Sequence, residues 1–94
     1  MFGQIELAEF KAATSMPQGA ASAWSAVETS GLVGASYKPL LYVGKRVVRG
    51  VNYVFIAEQT LVTNPPVRKL VMLEVNEFGG VYAMVPSSIV DVIG

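Results

Sequence analysis

The stretch of sequence that decides the fold reads Arg46-Val47-Val48-Arg49-Gly50-Val51-Asn52-Tyr53-Val54-Phe55. It places a glycine-containing turn between two runs of β-branched and aromatic residues, a pattern typical of a β-hairpin. Two branched apolar side chains, Val47 and Val48, lie where the chain turns and would face solvent or a partner. Because loops on rigid hairpins often carry binding residues, this turn is the first candidate for a binding site.

The same residue types continue on both sides of the hairpin. Period-two patterns predict four strands: Tyr37 to Val48, Val51 to Thr63, Val67 to Asn76, and Val81 to Ile93 with a break at Pro86. The connections are Arg49-Gly50, Thr63-Asn64-Pro65-Pro66 and Phe78-Gly79-Gly80, each short and rich in turn residues. These lengths favour an antiparallel meander. A weaker alternation from Gln4 to Phe10 indicates a fifth strand, although an early helix could produce it as well.

One amphipathic helix is expected before these strands. Thr14 or Ser15 can act as its N-cap, and Pro17 suits its first turn. Gly31 supplies a stop. Helical spacing brings one apolar set to a single side: Met16, Ala20, Ala23, Trp24 and Val27. The sequence therefore predicts a single domain, residues 1–94, of the α+β class, with one helix in its N-terminal half packed on a four- to five-stranded antiparallel sheet.

Composition argues against several classes of function. The 94 residues include seven Lys and Arg and seven Asp and Glu, so the net charge is zero and no basic field for nucleic acid is present. There is no Cys and no His, and we therefore expect neither metal sites nor cofactors. The uncharged stretches are too short to span a bilayer. Glu6 and Glu9 do not fit a secretory leader, so a cytoplasmic protein is expected, or a secreted one if a leader was removed.

Catalytic groups are not evident in the sequence. General acid–base catalysis usually relies on His or on paired carboxylates, and solvation of a strand end accounts for Glu74 and Glu77. The Ser87-Ser88 pair has no His base. Gly79-Gly80 joins two strands and precedes no helix, which indicates a hairpin turn and not a phosphate loop. We therefore expect no enzymatic activity.

The central strands are apolar on both faces. Tyr53, Phe55 and Ala57 share one face of their strand, yet Val54 and Ile56 on the other face are apolar too. One helix covers only one face, and 52% of the residues are hydrophobic. A homodimer through the open sheet face is therefore predicted. The alternative is that scattered apolar surface groups need no partner.

The order of a short N-terminal segment, one helix and four antiparallel strands resembles the cystatin fold. Arg46-Val47-Val48-Arg49-Gly50 is similar to the family's first-hairpin motif Gln-x-Val-x-Gly, and the run from Val51 to Phe55 is similar to the residues after that motif. Gly3 lies near the amino terminus, as does the corresponding glycine of stefins. Stefins also lack disulfides. The resemblance covers roughly half of the chain, from Tyr37 to Gly80.

The resemblance implies a reversible, tight-binding inhibitor of papain-like cysteine proteases, in which three segments fill the protease cleft. The residues implied at that contact are Gly3, Arg46, Val47, Val48, Arg49, Gly50, Phe78 and Gly79. Arg46 stands where the motif has Gln, Arg49 adds a charge at the tip, and the second hairpin lacks the Pro-Trp pair of many cystatins. A non-inhibitory, self-associating binding or structural module on the same scaffold is therefore the alternative.

Overall fold

The structure is a computed structural model that describes residues 5–12, 16–28 and 34–93. The elements follow the chain in this order: β1 (Ile5–Ala12), α1 (Gln18–Glu28), β2 (Ala35–Val48), β3 (Gly50–Leu61), β4 (Val67–Phe78) and β5 (Val81–Ile93). The strands form one antiparallel sheet in the order β1-β2-β3-β4-β5. For the described residues, the prediction of one helix on an antiparallel sheet of the α+β class is confirmed.

The core lies between α1 and one face of the sheet. The helix buries the residues that the 3.6-residue period places on one side: Ala20, Ala23, Trp24 and Val27. Trp24 meets Phe55 of β3 edge to face, with the ring centroids 5.2 Å apart. On β4 the alternate residues Val71, Leu73 and Val75 are completely buried. The apolar residues on one side of α1 and on one face of the sheet thus pack into a single cluster.

The first turn of α1 lies close to the sheet, and this closeness accounts for its glycine. A Cβ at Gly19 would lie 2.9 Å from the Tyr53 hydroxyl oxygen. Glycine within a helix costs about 1 kcal/mol relative to alanine, and here it leaves room for the Tyr53 hydroxyl, which would have to shift if a Cβ were present. The helix begins with a backbone hydrogen bond from Ala21 N to Pro17 O at 2.9 Å. The predicted N-caps and the predicted stop at Gly31 lie outside the described residues.

The predicted break at Pro86 does not end the strand, because β5 continues from Val81 to Ile93, but the pairing with β4 is interrupted there. Its register against β4 shifts instead: Val85 pairs with Glu74 and Val90 with Met72, so residues 86–89 lie opposite a single β4 residue. The Ser88 hydroxyl accepts a hydrogen bond from Glu74 N at 2.8 Å and donates one to Val85 O at 2.6 Å. Ser88 therefore fixes a bulge and has a structural role.

Four boundaries of β2, β3 and β4 also differ from the sequence prediction. β4 extends to Phe78, so that Phe78 ends a strand instead of lying in the turn. β3 begins at Gly50 and ends at Leu61, which leaves Arg49 as the single residue between β2 and β3. β2 begins at Ala35. Pairing with the neighbouring strand, and not local strand propensity, determines where each of these strands begins or ends.

The antiparallel order brings two hairpins to the same end of the sheet, which we call the hairpin end. The β2–β3 turn at Arg49 and the β4–β5 turn at Gly79-Gly80 both lie there, and β1 starts there because Ile5 pairs with Arg46. The β3–β4 connection, residues 62–66, lies at the opposite end and contains a cis Asn64-Pro65 peptide bond.

Candidate binding surface

The two turns at the hairpin end contact each other through their side chains. The guanidinium carbon of Arg49 lies 5.8 Å from the centroid of the Phe78 ring, within the range of a cation–π interaction. Val48 pairs with Gly50 on either side of Arg49, and Phe78 pairs with Val81 across the second turn. The tips of two hairpins therefore form one continuous surface.

Gly50 is required where the two hairpins approach each other. Its φ of +85° lies in the left-handed region that residues with a Cβ rarely adopt. A Cβ on this residue would also collide with the carbonyl oxygen of Glu77 and come within 3.2 Å of Phe78 Cβ. Glycine is thus needed both for the turn and for the packing of β3 against the end of β4.

A chain of side-chain hydrogen bonds holds the first turn on the face of the sheet opposite α1. Asn76 Nδ2 donates to the carbonyl oxygen of Arg49 at 3.1 Å and to Asn52 Oδ1 at 2.7 Å. Asn52 Nδ2 in turn donates to Glu74 Oε1 at 3.0 Å. The backbone of the turn is therefore fixed to β4, and it does not depend on β2 and β3 alone.

Arg46 belongs to this polar network and not to the tip. Its guanidinium lies 3.2 Å from Glu74 Oε2, and the two side chains are 28% and 12% exposed. Arg46 pairs with Asn52 on β3, so Glu74 reaches it across an intervening strand. The structure thus places Arg46 as a support of the hairpin, behind the other predicted residues of the first turn.

The exposed side chains at the edge of the hairpin end define what we call the tip surface: Val47, Arg49, Phe78 and Val81. The three apolar members are 46%, 56% and 67% exposed in that order. The register places Phe78 and Val81 on the face opposite α1 and Val47 on the α1 face. Val48 is half-buried, and Gly79 is exposed with a φ of +61°. The turn after β4 is closed by Gly80 N, which donates to Glu77 Oε2 at 2.9 Å.

Val81 belongs to the tip surface but is absent from the sequence prediction of contact residues. The sequence pattern treats Val81 as an ordinary strand residue, and its position directly after Gly79-Gly80 is the signal that places it at the tip. Gly3 lies outside the described residues. The structure places the other predicted contact residues at the hairpin end, with Arg46 set back from the tip.

Aromatic rings connect the core to the hairpin end. The ring of Tyr53 lies 6.4 Å from that of Tyr42 and 6.4 Å from that of Tyr82. Burial raises the pKa of both Tyr42 and Tyr53 above the ordinary value of 10.0, and for each a neighbouring tyrosine adds to the effect. Both phenols therefore keep their protons at physiological pH.

The described part of the chain shows no cluster of three His, Cys, Asp or Glu residues that could hold a metal ion. Across residues 5–12, 16–28 and 34–93, no helix has both the length and the apolar character needed to cross a bilayer. Comparison of the chain with protein-family models, with curated proteins and with solved structures finds no match. The site is therefore defined by its own geometry: a preformed apolar surface with a cation at its centre.

Proposed function

We propose that this chain is a binding protein of cystatin-like architecture that inhibits papain-like cysteine proteases by inserting its hairpin end into the substrate cleft. The contact between Arg49 and Phe78 is the observation that carries the proposal, because it joins two hairpin tips into one surface. In the cystatin resemblance the same two hairpins act together with the N-terminal segment. The start of β1 at Ile5, opposite Arg46, supports this arrangement.

The tip surface has properties that suit tight docking. Its apolar side chains are about half to two-thirds exposed, and burying each of them would contribute about 1–2 kcal/mol at roughly 25 cal/mol per Å². The turn is already held by Gly50 and by the hydrogen bond from Asn76, so little conformational entropy is lost on binding. Binding of this kind needs neither a cofactor nor a catalytic group of the chain.

The predicted residues other than Arg46 each have a contact in the proposed complex, and Arg46 supports the first hairpin through Glu74. Val47, Val48, Arg49 and Gly50 form the first contact, and Phe78 and Gly79, extended by Val81, form the second. The resemblance assigns Gly3 to a third contact. Occupation of the cleft by these turns would exclude substrate without presenting a peptide bond in attack geometry to the nucleophile.

Titration of papain with the purified chain tests the proposal. We expect proteolytic activity to fall to zero as the chain is added, and full activity at micromolar chain would contradict the proposal. Val47→Asp should raise the inhibition constant at least about a hundredfold, because a carboxylate would enter a dry apolar contact. Val62→Asp is the matched control, since Val62 is 73% exposed at the opposite end of the sheet.

A second candidate is a non-inhibitory module that self-associates through the sheet. On the face opposite α1 the register aligns one apolar row across four strands: Leu41, Ile56, Met72 and Val90. Val90 is 49% exposed, whereas Val54 on the same face is completely buried, so only part of this face is open to a second copy.

Light scattering after size exclusion tests this second candidate. A dimer that Val90→Lys dissociates and Val62→Lys leaves intact would support association through this row, because both substitutions add one charge to an exposed valine. A monomer at high concentration would refute it.

A further inference from the structure

Arg49 is the most prominent charged group of the hairpin end, and the structure fixes its position. It is the single residue between β2 and β3 and is exposed. Its carbonyl oxygen accepts a hydrogen bond from Asn76 Nδ2 at 3.1 Å, and its guanidinium carbon lies 5.8 Å from the centroid of the Phe78 ring. Both the backbone and the side chain of Arg49 are therefore preorganised.

The charge of Arg49 is not compensated within the described part of the chain. The ion pairs of those residues are Arg46 with Glu74, Arg68 with Glu58, and Lys69 with Asp91. The nearest acidic neighbour along the second turn, Glu77, instead accepts a hydrogen bond from Gly80 N. Contact with an aromatic face leaves the N–H edges of a guanidinium able to donate to a carboxylate from outside.

Because apolar side chains lie next to Arg49, its charge determines which partner surfaces can dock on the hairpin end. Phe78 contacts Arg49 and pairs with Val81 on the face opposite α1, so a partner that buries this pair also meets Arg49. Val47 lies beside Arg49 on the other face of the hairpin and would be covered by the opposite wall of a cleft. A guanidinium removed from water without a partner opposes binding, whereas one that meets a carboxylate forms a short, bidentate and charge-assisted pair. Arg49 therefore favours docking into a groove that carries a carboxylate and opposes docking into a groove that carries none.

We propose, on the basis of the inhibitory function proposed above, that Arg49 makes the tip surface selective for papain-like proteases whose cleft carries an Asp or Glu side chain. Arg49 would form the ion pair with this carboxylate, and the apolar walls of the cleft would cover Val47, Phe78 and Val81. Proteases with an apolar but neutral cleft would be inhibited poorly.

Inhibition constants against two sets of papain-like proteases test this selectivity, one set with a carboxylate in the cleft and one set without. Arg49→Gln removes the charge, Arg49→Lys keeps a charge without the planar fork, and Lys38→Gln removes an exposed charge far from the tip. For the acidic clefts we expect Arg49→Gln to weaken inhibition at least about tenfold, with Arg49→Lys between it and the wild type. For the neutral clefts we expect Arg49→Gln to inhibit as well as the wild type or better. Lys38→Gln should match the wild type throughout.

The outcomes separate the two proposals. If Arg49→Gln and Lys38→Gln behave alike on every protease that the wild type inhibits, Arg49 is not the selective residue and the inhibitory function stands. If neither the wild type nor Arg49→Gln inhibits any protease of either set, both proposals are overturned. A thermal melt of each variant identifies any change that comes from unfolding.

Discussion

Arg49 and Phe78 belong to different hairpins, yet the guanidinium carbon of Arg49 lies 5.8 Å from the centroid of the Phe78 ring. Beneath this contact, Gly50 approaches Glu77 so closely that no side chain fits between β3 and the end of β4. The hairpin end is therefore one packed unit. Because Gly50 is packed inside this unit and Arg49 is exposed, substitutions can change its stability and its binding separately.

Replacement of Gly50 by Ala should strongly destabilise the fold. The left-handed φ of +85° costs about 1 kcal/mol for alanine, and the collision of its Cβ with the Glu77 carbonyl adds about 2 kcal/mol or more. Gly34→Ala is the matched control, since Gly34 has a φ of +87° and a methyl group there would meet no neighbouring atom within 4 Å. Urea denaturation measures both, and equal losses would show that the close approach has no energetic role.

Glu74 should contribute more stability than Glu58, which pairs with the exposed side chain of Arg68. Glu74→Ala removes the carboxylate that receives Arg46 and Asn52, and we expect a loss of about 2 kcal/mol in the free energy of unfolding. Glu58→Ala breaks a pair with Arg68, whose side chain is 69% exposed, and should lose less than about 1 kcal/mol. Denaturant titration distinguishes them, and a smaller loss for Glu74→Ala than for Glu58→Ala would count against the network.

Two leucines on opposite faces of β4 test which face carries the core. Leu73 is completely buried against the helix side, whereas Leu70 is half-buried on the other face. Leu73→Ala should cost about 2–5 kcal/mol through lost burial and a cavity, and Leu70→Ala about 1 kcal/mol. The same atoms are removed in both variants, so a larger loss at Leu70 in thermal or urea unfolding would reverse the assigned faces.

Alkaline pH should weaken the fold through Tyr42 and Tyr53. Burial raises the pKa of both phenols above 10.0, so the folded state holds these protons more tightly than the unfolded state does. This stabilisation is fully present below the unfolded pKa and is lost as the pH rises through the folded pKa. Urea midpoints from about pH 9 to pH 12 should therefore decline, and Tyr42→Phe should decline less. An identical decline in both proteins would contradict this origin.

Much of the core could be predicted from the sequence, because its two periods are local properties of the chain. The buried side of α1, including Ala23 and Trp24, follows from helical spacing. Alternation puts Phe55 and Ala57 on one face of their strand, but the structure decides which face meets the helix, because both faces are apolar. The alternation itself needs no knowledge of distant residues. The turn at Arg49 is likewise a local signal.

The supports of the tip surface could not be predicted in the same way. The pair between Arg46 and Glu74 spans an intervening strand, and the bulge at residues 86–89 depends on the register of β5 against β4. Phe78 belongs to β4 because Val81 pairs with it, although the residues before Phe78 have low strand propensity. These features arise from contacts between strands, which no local pattern encodes.

Hydrogen–deuterium exchange of the chain, with and without papain whose catalytic cysteine is blocked, tests most directly that the hairpin end is the binding surface. We expect exchange to slow roughly tenfold or more in peptides covering residues 47–51 and 78–82, because docking buries both turns. Peptides covering residues 62–66, at the opposite end of the sheet, should exchange at an unchanged rate. No slowing at either hairpin turn, or slowing confined to the rest of the chain, would contradict docking through the hairpin end.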